Sequence, residues 1–237
     1  MYTRLFLARL GPPAGIAAPG RDNEPVTTAS WDDSYAGSVP APWDIGKPQP
    51  AFVRLADRGL LAGELLDAGC GTGEQTMLAA SSGADAVGVD VSPLAIGRAR
   101  TKAAARGIKA RFEVADALRL GSLGASFDTI IDSGLFHVFD DDDRAGYVAS
   151  LASVLRPGGR LYLMCFSDAQ PGTFGPRRVS QDELRTAFTE GWTVSGIEAD
   201  TFEINPGFFG GTTAQAWLFT ASRVLLAHPV LVVTSWW

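Results

Sequence analysis

Three glycines stand at alternate positions in Asp67-Ala68-Gly69-Cys70-Gly71-Thr72-Gly73-Glu74, directly after an apolar pair, Leu65-Leu66. Glycine lets the backbone approach a ligand closely, and a strand-to-helix turn aims free N–H groups at it. The chemistry implied is the gripping of a nucleotide-like molecule. The spacing is G-x-G-x-G rather than the G-x-G-x-x-G of dinucleotide sites, which disfavours NAD. A glycine turn can also serve only to reverse the chain, so other positions must decide. Asp90 ends the apolar run 86–90, where a carboxylate reaches the hydroxyls of a ribose bound at the crossover of a sheet. Asp116, in Val114-Ala115-Asp116-Ala117, ends a third run and can accept from an adenine amino group. Either aspartate alone is commonly a turn residue. Polar stations at three successive strand ends make ligand binding the stronger reading.

Two further residues could act on a substrate. His137 closes Asp132-Ser133-Gly134-Leu135-Phe136-His137, just past a fourth apolar run, where ligands of open α/β sheets bind. Its ordinary pKa lies near neutrality, so it is a candidate general base for a hydroxyl or thiol, set against the structural role of most isolated histidines. Trp43 lies in Pro42-Trp43-Asp44-Ile45-Gly46-Lys47-Pro48-Gln49-Pro50, which cannot be regular helix or central strand. On such an arm an indole either covers a cationic ligand or plugs the core edge. The run Asp140-Asp141-Asp142-Asp143 invites a metal, but carboxylates ahead of a helix are stabilised by its dipole, so no metal site is assigned. Cys70 is read as a small packing residue, His228 as structural, and Arg177-Arg178 as either steering an anion or simply solvated.

These stations need a scaffold. Apolar runs at 64–68, 86–90, 110–114, 127–132 and 160–166 alternate with helical patterns at 75–82, 93–106 and 144–155. A helix at 51–58 precedes them, the turn 156–159 delivers the chain to the fifth run, and a helix at 181–188 leads to strands at 192–199 and 214–220. Alternation of this kind implies a mainly parallel sheet covered by helices on both faces. With 237 residues, 46% hydrophobic and 19% charged, one globular domain suffices. The net charge of −6 opposes a phosphate backbone, so nucleic acid is not an expected partner. Two cysteines and no signal-like leader fit a reducing cytoplasm, and the apolar tail, split by His228-Pro229, is too short to span a bilayer, so no membrane partner is expected; the chain is taken as a monomer or homodimer. Residues 1–30 are read as an irregular lead-in, 31–223 as the domain with a lid at 31–58, and 224–237 as an apolar tail.

Taken together, Leu66-Asp67-Ala68-Gly69-Cys70-Gly71-Thr72-Gly73, the Asp90 strand, Val114-Ala115-Asp116-Ala117 and Leu155-Arg156-Pro157-Gly158-Gly159 resemble the successive motifs of class I methyltransferases over residues 40–220. That resemblance implies a Rossmann-like α/β fold with a seven-stranded sheet, and S-adenosylmethionine as cofactor. The glycine turn (Gly69, Gly71, Gly73, with Asp67 and Cys70) then holds the methionine end, Asp90 with Val91 the ribose, and Asp116 with Ala117 the adenine. Trp43, Gln49 and Ser133 complete the expected cofactor site. The arm at 42–50 resembles that of thiopurine and halide/thiol methyltransferases. With the 132–137 run and the 171–184 segment it is more similar to heterocyclic toxin methyltransferases, which O-methylate hydroxyquinolones in detoxification. A small-molecule acceptor is implied, contacted by Trp43, Phe136, His137 and Phe208, with Trp31, Tyr35, Phe174 and Phe209 as further walls. In this reading His137 is the catalytic base; thiol or halide transfer, or cofactor binding without turnover, are the rivals.

Overall fold

The computed structural model describes residues 28–173, 175–206 and 211–225. Seven strands, β1 (Glu64–Ala68), β2 (Asp85–Asp90), β3 (Arg111–Val114), β4 (Phe127–Ser133), β5 (Leu155–Phe166), β6 (Trp192–Glu203) and β7 (Thr213–Arg223), lie in the order β3-β2-β1-β4-β5-β7-β6. The first five are parallel; β7 runs antiparallel to both neighbours. Among the described residues six helices accompany them: α1 (Thr28–Ala36), α2 (Pro50–Asp57), α3 (Glu74–Ser81), α4 (Pro93–Arg106), α5 (Asp141–Val154) and α6 (Gln181–Ala187). The chain leaves β1 toward β2 and β3, then returns to place β4 on the other side. The crevice at the carboxyl ends of β1 and β4 is therefore where such a sheet takes its ligand.

Side chains of one strand alternate between two cores. Leu66, Ile130 and Leu161 face Tyr147 and Leu151 of α5 and Phe188; Leu65, Ile131 and Tyr162 face Phe52 and Leu55 of α2. Both faces are covered, so central strands are apolar throughout rather than alternating. Helix starts are set by local chemistry. Ser92 caps α4 by accepting from Ala95 N–H at 3.0 Å, ahead of Pro93. Ser180 and Glu183 form a reciprocal capping box on α6.

Several expectations are corrected. Helix α1 begins at Thr28, within a stretch read as irregular; its apolar residues show almost no helical period, and its place is set by packing on α4. Helix α5 starts three residues before the expected Arg144, because Asp140 accepts from Asp143 N–H at 2.9 Å. The turn expected at 156–159 is present as a bulge inside the span of β5: the register passes from Phe127–Leu155 directly to Thr129–Arg160, and Gly158 between them is left-handed at φ +81°. Short 3₁₀ turns at Ala117–Leu123 and Phe136–Val138 carried no sequence signal. No described helix is long and apolar enough to cross a membrane.

Candidate functional site

Each glycine of the turn is pressed by a different element. A Cβ on Gly69 would stand 2.9 Å from Leu135, on Gly71 2.9 Å from the Tyr35 hydroxyl, and on Gly73 2.6 Å from Phe112. At Gly73 the backbone is also left-handed, φ +87°, where it caps α3. The turn is thus where the loop after β4, helix α1 and strand β3 converge. Asp90 holds it from below: its carboxylate accepts from Gly71 N–H and Ser92 N–H, both at 2.9 Å. Burial pushes the Asp90 carboxyl up from its ordinary value.

Under the turn, Asp67 is 1% exposed. Thr76 donates to its Oδ2 at 2.6 Å, while Oδ1 has no partner. Burial lifts this carboxyl to about 7, with the nearby Asp132 adding to the effect. An unpaired buried carboxylate oxygen costs stability unless a ligand uses it, and the ligand it suits is a cation. Gly88 makes room for this arrangement, since a Cβ there would meet Thr76 Oγ1 at 2.5 Å and Cys70 at 2.9 Å. Cys70 itself is a packed residue whose thiol burial pushes well above the ordinary range.

The amino-terminal residues close over the turn. Asp32 of α1 accepts from the Ser92 hydroxyl and from Leu94 N–H, adding a second cap to α4. Tyr35 takes a 3.1 Å hydrogen bond from the Trp43 indole, and Trp31 packs edge-on against Trp43 at 5.8 Å. Next to it Asp44 accepts from the Thr72 hydroxyl at 2.7 Å, and Lys102 donates to Thr72 and Glu74 at 2.6 and 3.0 Å. Burial alone would raise Glu74, but the hydrogen bonds from Arg106 and Lys102 outweigh it and hold the carboxyl low. The far end of the arm is tied to β6. Gln49 exchanges two hydrogen bonds with the Glu203 backbone (2.9 and 2.8 Å), and Asn205 donates to Ala41 and Asp44 carbonyls.

At the end of β4, Asp132 is fully buried and accepts from Leu135 N–H, Phe136 N–H and the Tyr147 hydroxyl at 2.7, 3.0 and 2.9 Å. These bonds fold the loop back so that His137 comes to rest beneath Phe166 N–H, which donates to its Nδ1 at 2.9 Å. His137 is 5% exposed between the rings of Phe166 and Phe202. Burial, then the charges of Arg144 and Arg178, push its pKa down to about 3. A histidine whose Nδ1 is already taken and which stays neutral carries its proton on Nε2. The general-base role expected of it is therefore not what its surroundings prepare.

The expected residues divide accordingly. Gly69, Cys70, Gly71, Gly73, Asp67 and Asp90 come together in the crevice. Val91 and Ser133 are half-buried beside it. Asp116 is exposed and caps the turn that starts at Ala117, accepting from Leu118 N–H at 2.9 Å. Gln49 has both amide atoms spent on Glu203, so it anchors the arm rather than facing the crevice. Phe136, expected on the acceptor, is fully buried against Phe188 beneath the Arg144 guanidinium. Arg177 pairs with Asp141 and Glu183 at the surface, and Arg178 donates to the carbonyls of Gln170, Pro171, Gly172 and Pro176, so each has partners within the chain. Phe174, Phe208, Phe209 and His228 lie outside the described residues. Sequence reasoning missed Asp32, Thr72, Lys102, Asp132 and Asn205. Of these only Asp132, a charge closing an apolar strand, carried a local signal.

Residues 65–159 match the methyltransferase domain family. The chain is 35% identical over 217 residues to a 2-heptyl-1-hydroxyquinolin-4(1H)-one methyltransferase of Mycobacteroides abscessus, covering 84% of this chain and 96% of that protein. A probable thiol methyltransferase of Arabidopsis thaliana is 29% identical over 159 residues, 66% of this chain and 70% of its own length. Among solved structures, one from work on converting a disulfide bond into a thioacetal group during echinomycin biosynthesis superposes with TM-score 0.76 at 38% identity, covering 84% of this chain and 94% of that one.

Proposed function

This chain belongs to the S-adenosylmethionine-dependent methyltransferases, and from that premise we propose that it methylates an oxygen of a small hydroxylated aromatic heterocycle of the hydroxyquinolone kind. S-adenosylmethionine, when bound, supplies an electrophilic methyl group on a sulfonium. The residues of the crevice fit it. In this reading the unpaired Asp67 oxygen suits the ammonium, the bare backbone of the glycine turn leaves room for the methionine end to approach, and Asp90 suits the ribose. Val91 would border the ribose beside Asp90, Asp116 and Ala117 the adenine, and Trp43 with Tyr35 covers the turn from the lid side.

With an already activated methyl, the protein's contribution is alignment and exclusion of water. The Asp44–Thr72–Lys102 contacts would hold the arm shut on the glycine turn while the acceptor is in place. The observation that carries the choice of acceptor is the likeness to the hydroxyquinolone enzyme over nearly its full length. A sulfur acceptor is the second reading, favoured by the thiol methyltransferase relative. A product screen with labelled cofactor across hydroxyquinolones, phenols, thiols and halides separates them. The expected outcome is label in the hydroxyquinolone products at the highest kcat/KM; transfer to thiols alone would reverse the assignment.

A further inference from the structure

We infer that His137 meets the methyl acceptor as a hydrogen-bond donor, offering Nε2–H to an acceptor oxygen that has already lost its proton, and that it takes up no proton itself. This rests on the oxygen-acceptor reading above, and deepens it by naming the ionisation state of the substrate.

The geometry carries the argument. The group bonded to Nδ1 is a backbone N–H, that of Phe166 at 2.9 Å, which can only donate. A proton on Nδ1 would set two N–H groups against each other, so the ring is fixed with its hydrogen on Nε2 and has no free lone pair for a base. No described residue accepts from Nε2. That edge of the ring is turned to Gly134, where a Cβ would stand 3.4 Å from Cε1 and 3.6 Å from Nε2. Gly134 immediately follows β4, so the unused N–H lies at the crevice rim. Every charged group that bears on the ring is positive: Arg144 of α5 and Arg178 of the segment before α6. Apart from that Phe166 N–H, strands β5 and β6 present the rings of Phe166 and Phe202 to it. A donor N–H in an apolar wall with two guanidinium charges behind it favours an oxyanion over a neutral hydroxyl.

The step then balances as follows. The acceptor hydroxyl gives its proton to solvent on binding, an oxygen lone pair forms the new C–O bond, and the C–S bond breaks with its pair remaining on sulfur. The class of acceptor this selects is acidic: N-hydroxy heterocycles and enol-like ring hydroxyls, not aliphatic alcohols.

Two measurements test it. The chain has two histidines, so in an H228Q protein long-range ¹⁵N–¹H spectra report His137 alone. The expected ring is neutral, Nε2-protonated and non-titrating between about pH 5.5 and 8.5, whereas a free histidine would titrate midway, near its ordinary value. A ring that titrates there, or that carries its proton on Nδ1, overturns the donor role while leaving the choice of acceptor standing. The second measurement compares H137Q, which keeps an N–H at the ε position but cannot act as a base, with H137F. Loss of one charge-assisted hydrogen bond predicts a fall in kcat/KM of about 10- to 100-fold for H137F, with H137Q within about threefold of wild type and cofactor binding by calorimetry unchanged in both. A general base would instead cost about 10²- to 10⁴-fold in both variants, and that result overturns the inference. Wild-type kcat/KM should rise along each acceptor's own ionisation curve in a series of differing acidity. Absence of transfer to every oxygen acceptor sinks the substrate reading, and with it the pairing of this N–H with a substrate oxygen.

Discussion

Replacing Asp67 with asparagine should stabilise the folded chain at alkaline pH and weaken its grip on the cofactor. The carboxyl is buried with one oxygen unpaired, and its pKa is raised from 3.8 to about 7. A group whose folded pKa exceeds its unfolded value adds stability that is complete below the unfolded pKa and lost as pH rises through the folded one. Three pKa units at 1.36 kcal/mol each put that loss at ~4 kcal/mol by pH 8. Asparagine has the neutral shape of the protonated acid and can still accept from Thr76, so D67N escapes the loss. Its second amide hydrogen finds no acceptor, which returns ~1–3 kcal/mol. A net gain of ~1–3 kcal/mol raises the melting temperature of a chain this size by about 2–10 °C. Thermal melts of both proteins, without cofactor, at pH 5 and pH 8 provide the check. Asp132, also raised to about 7 by burial, titrates in both proteins and largely cancels from the comparison. The gap should be wide at pH 8 and close at pH 5, and calorimetry should show S-adenosylmethionine bound about 10- to 100-fold more weakly by D67N. A variant that melts no higher than wild type at pH 8 would falsify the claim that Asp67 is an ionised, uncompensated charge kept for a ligand.

Other substitutions probe the scaffold around that charge. G73A forces a side chain onto a left-handed backbone and 2.6 Å from Phe112; a destabilisation of ~2–5 kcal/mol follows from strain plus overpacking and is read from the urea midpoint. Q49A removes both ties between the arm and Glu203, about 1–3 kcal/mol of local stability. Faster amide exchange confined to residues 41–49 with a higher cofactor KM is the expected pattern, and unchanged exchange would count against the anchoring role. D140A deletes the α5 cap, lowering stability by ~1 kcal/mol without altering kcat; a fall in kcat larger than a few-fold would mean the acidic run does more than cap.

What was legible beforehand follows from the range of the forces involved. Strand-end glycines, proline at the first turn of α4 and the acid ahead of α5 act within a few residues, so their elements were placed to within a residue or three. Helix α1 was invisible because its position is decided by Asp32 reaching Ser92, 60 residues on, and by Tyr35 resting on Gly71. The lid's anchors join Asp44 to Thr72 and Ala41 to Asn205, 28 and 164 residues apart, and no local pattern encodes either. His137 shows the same limit at the chemical level. Its type and its place after β4 suggested a base, but a backbone N–H 29 residues away takes the atom a base would need. The sign of a histidine's contribution is set by its second nitrogen's partner. In a parallel sheet that partner comes from the next strand, so it becomes known only once β4 and β5 lie side by side.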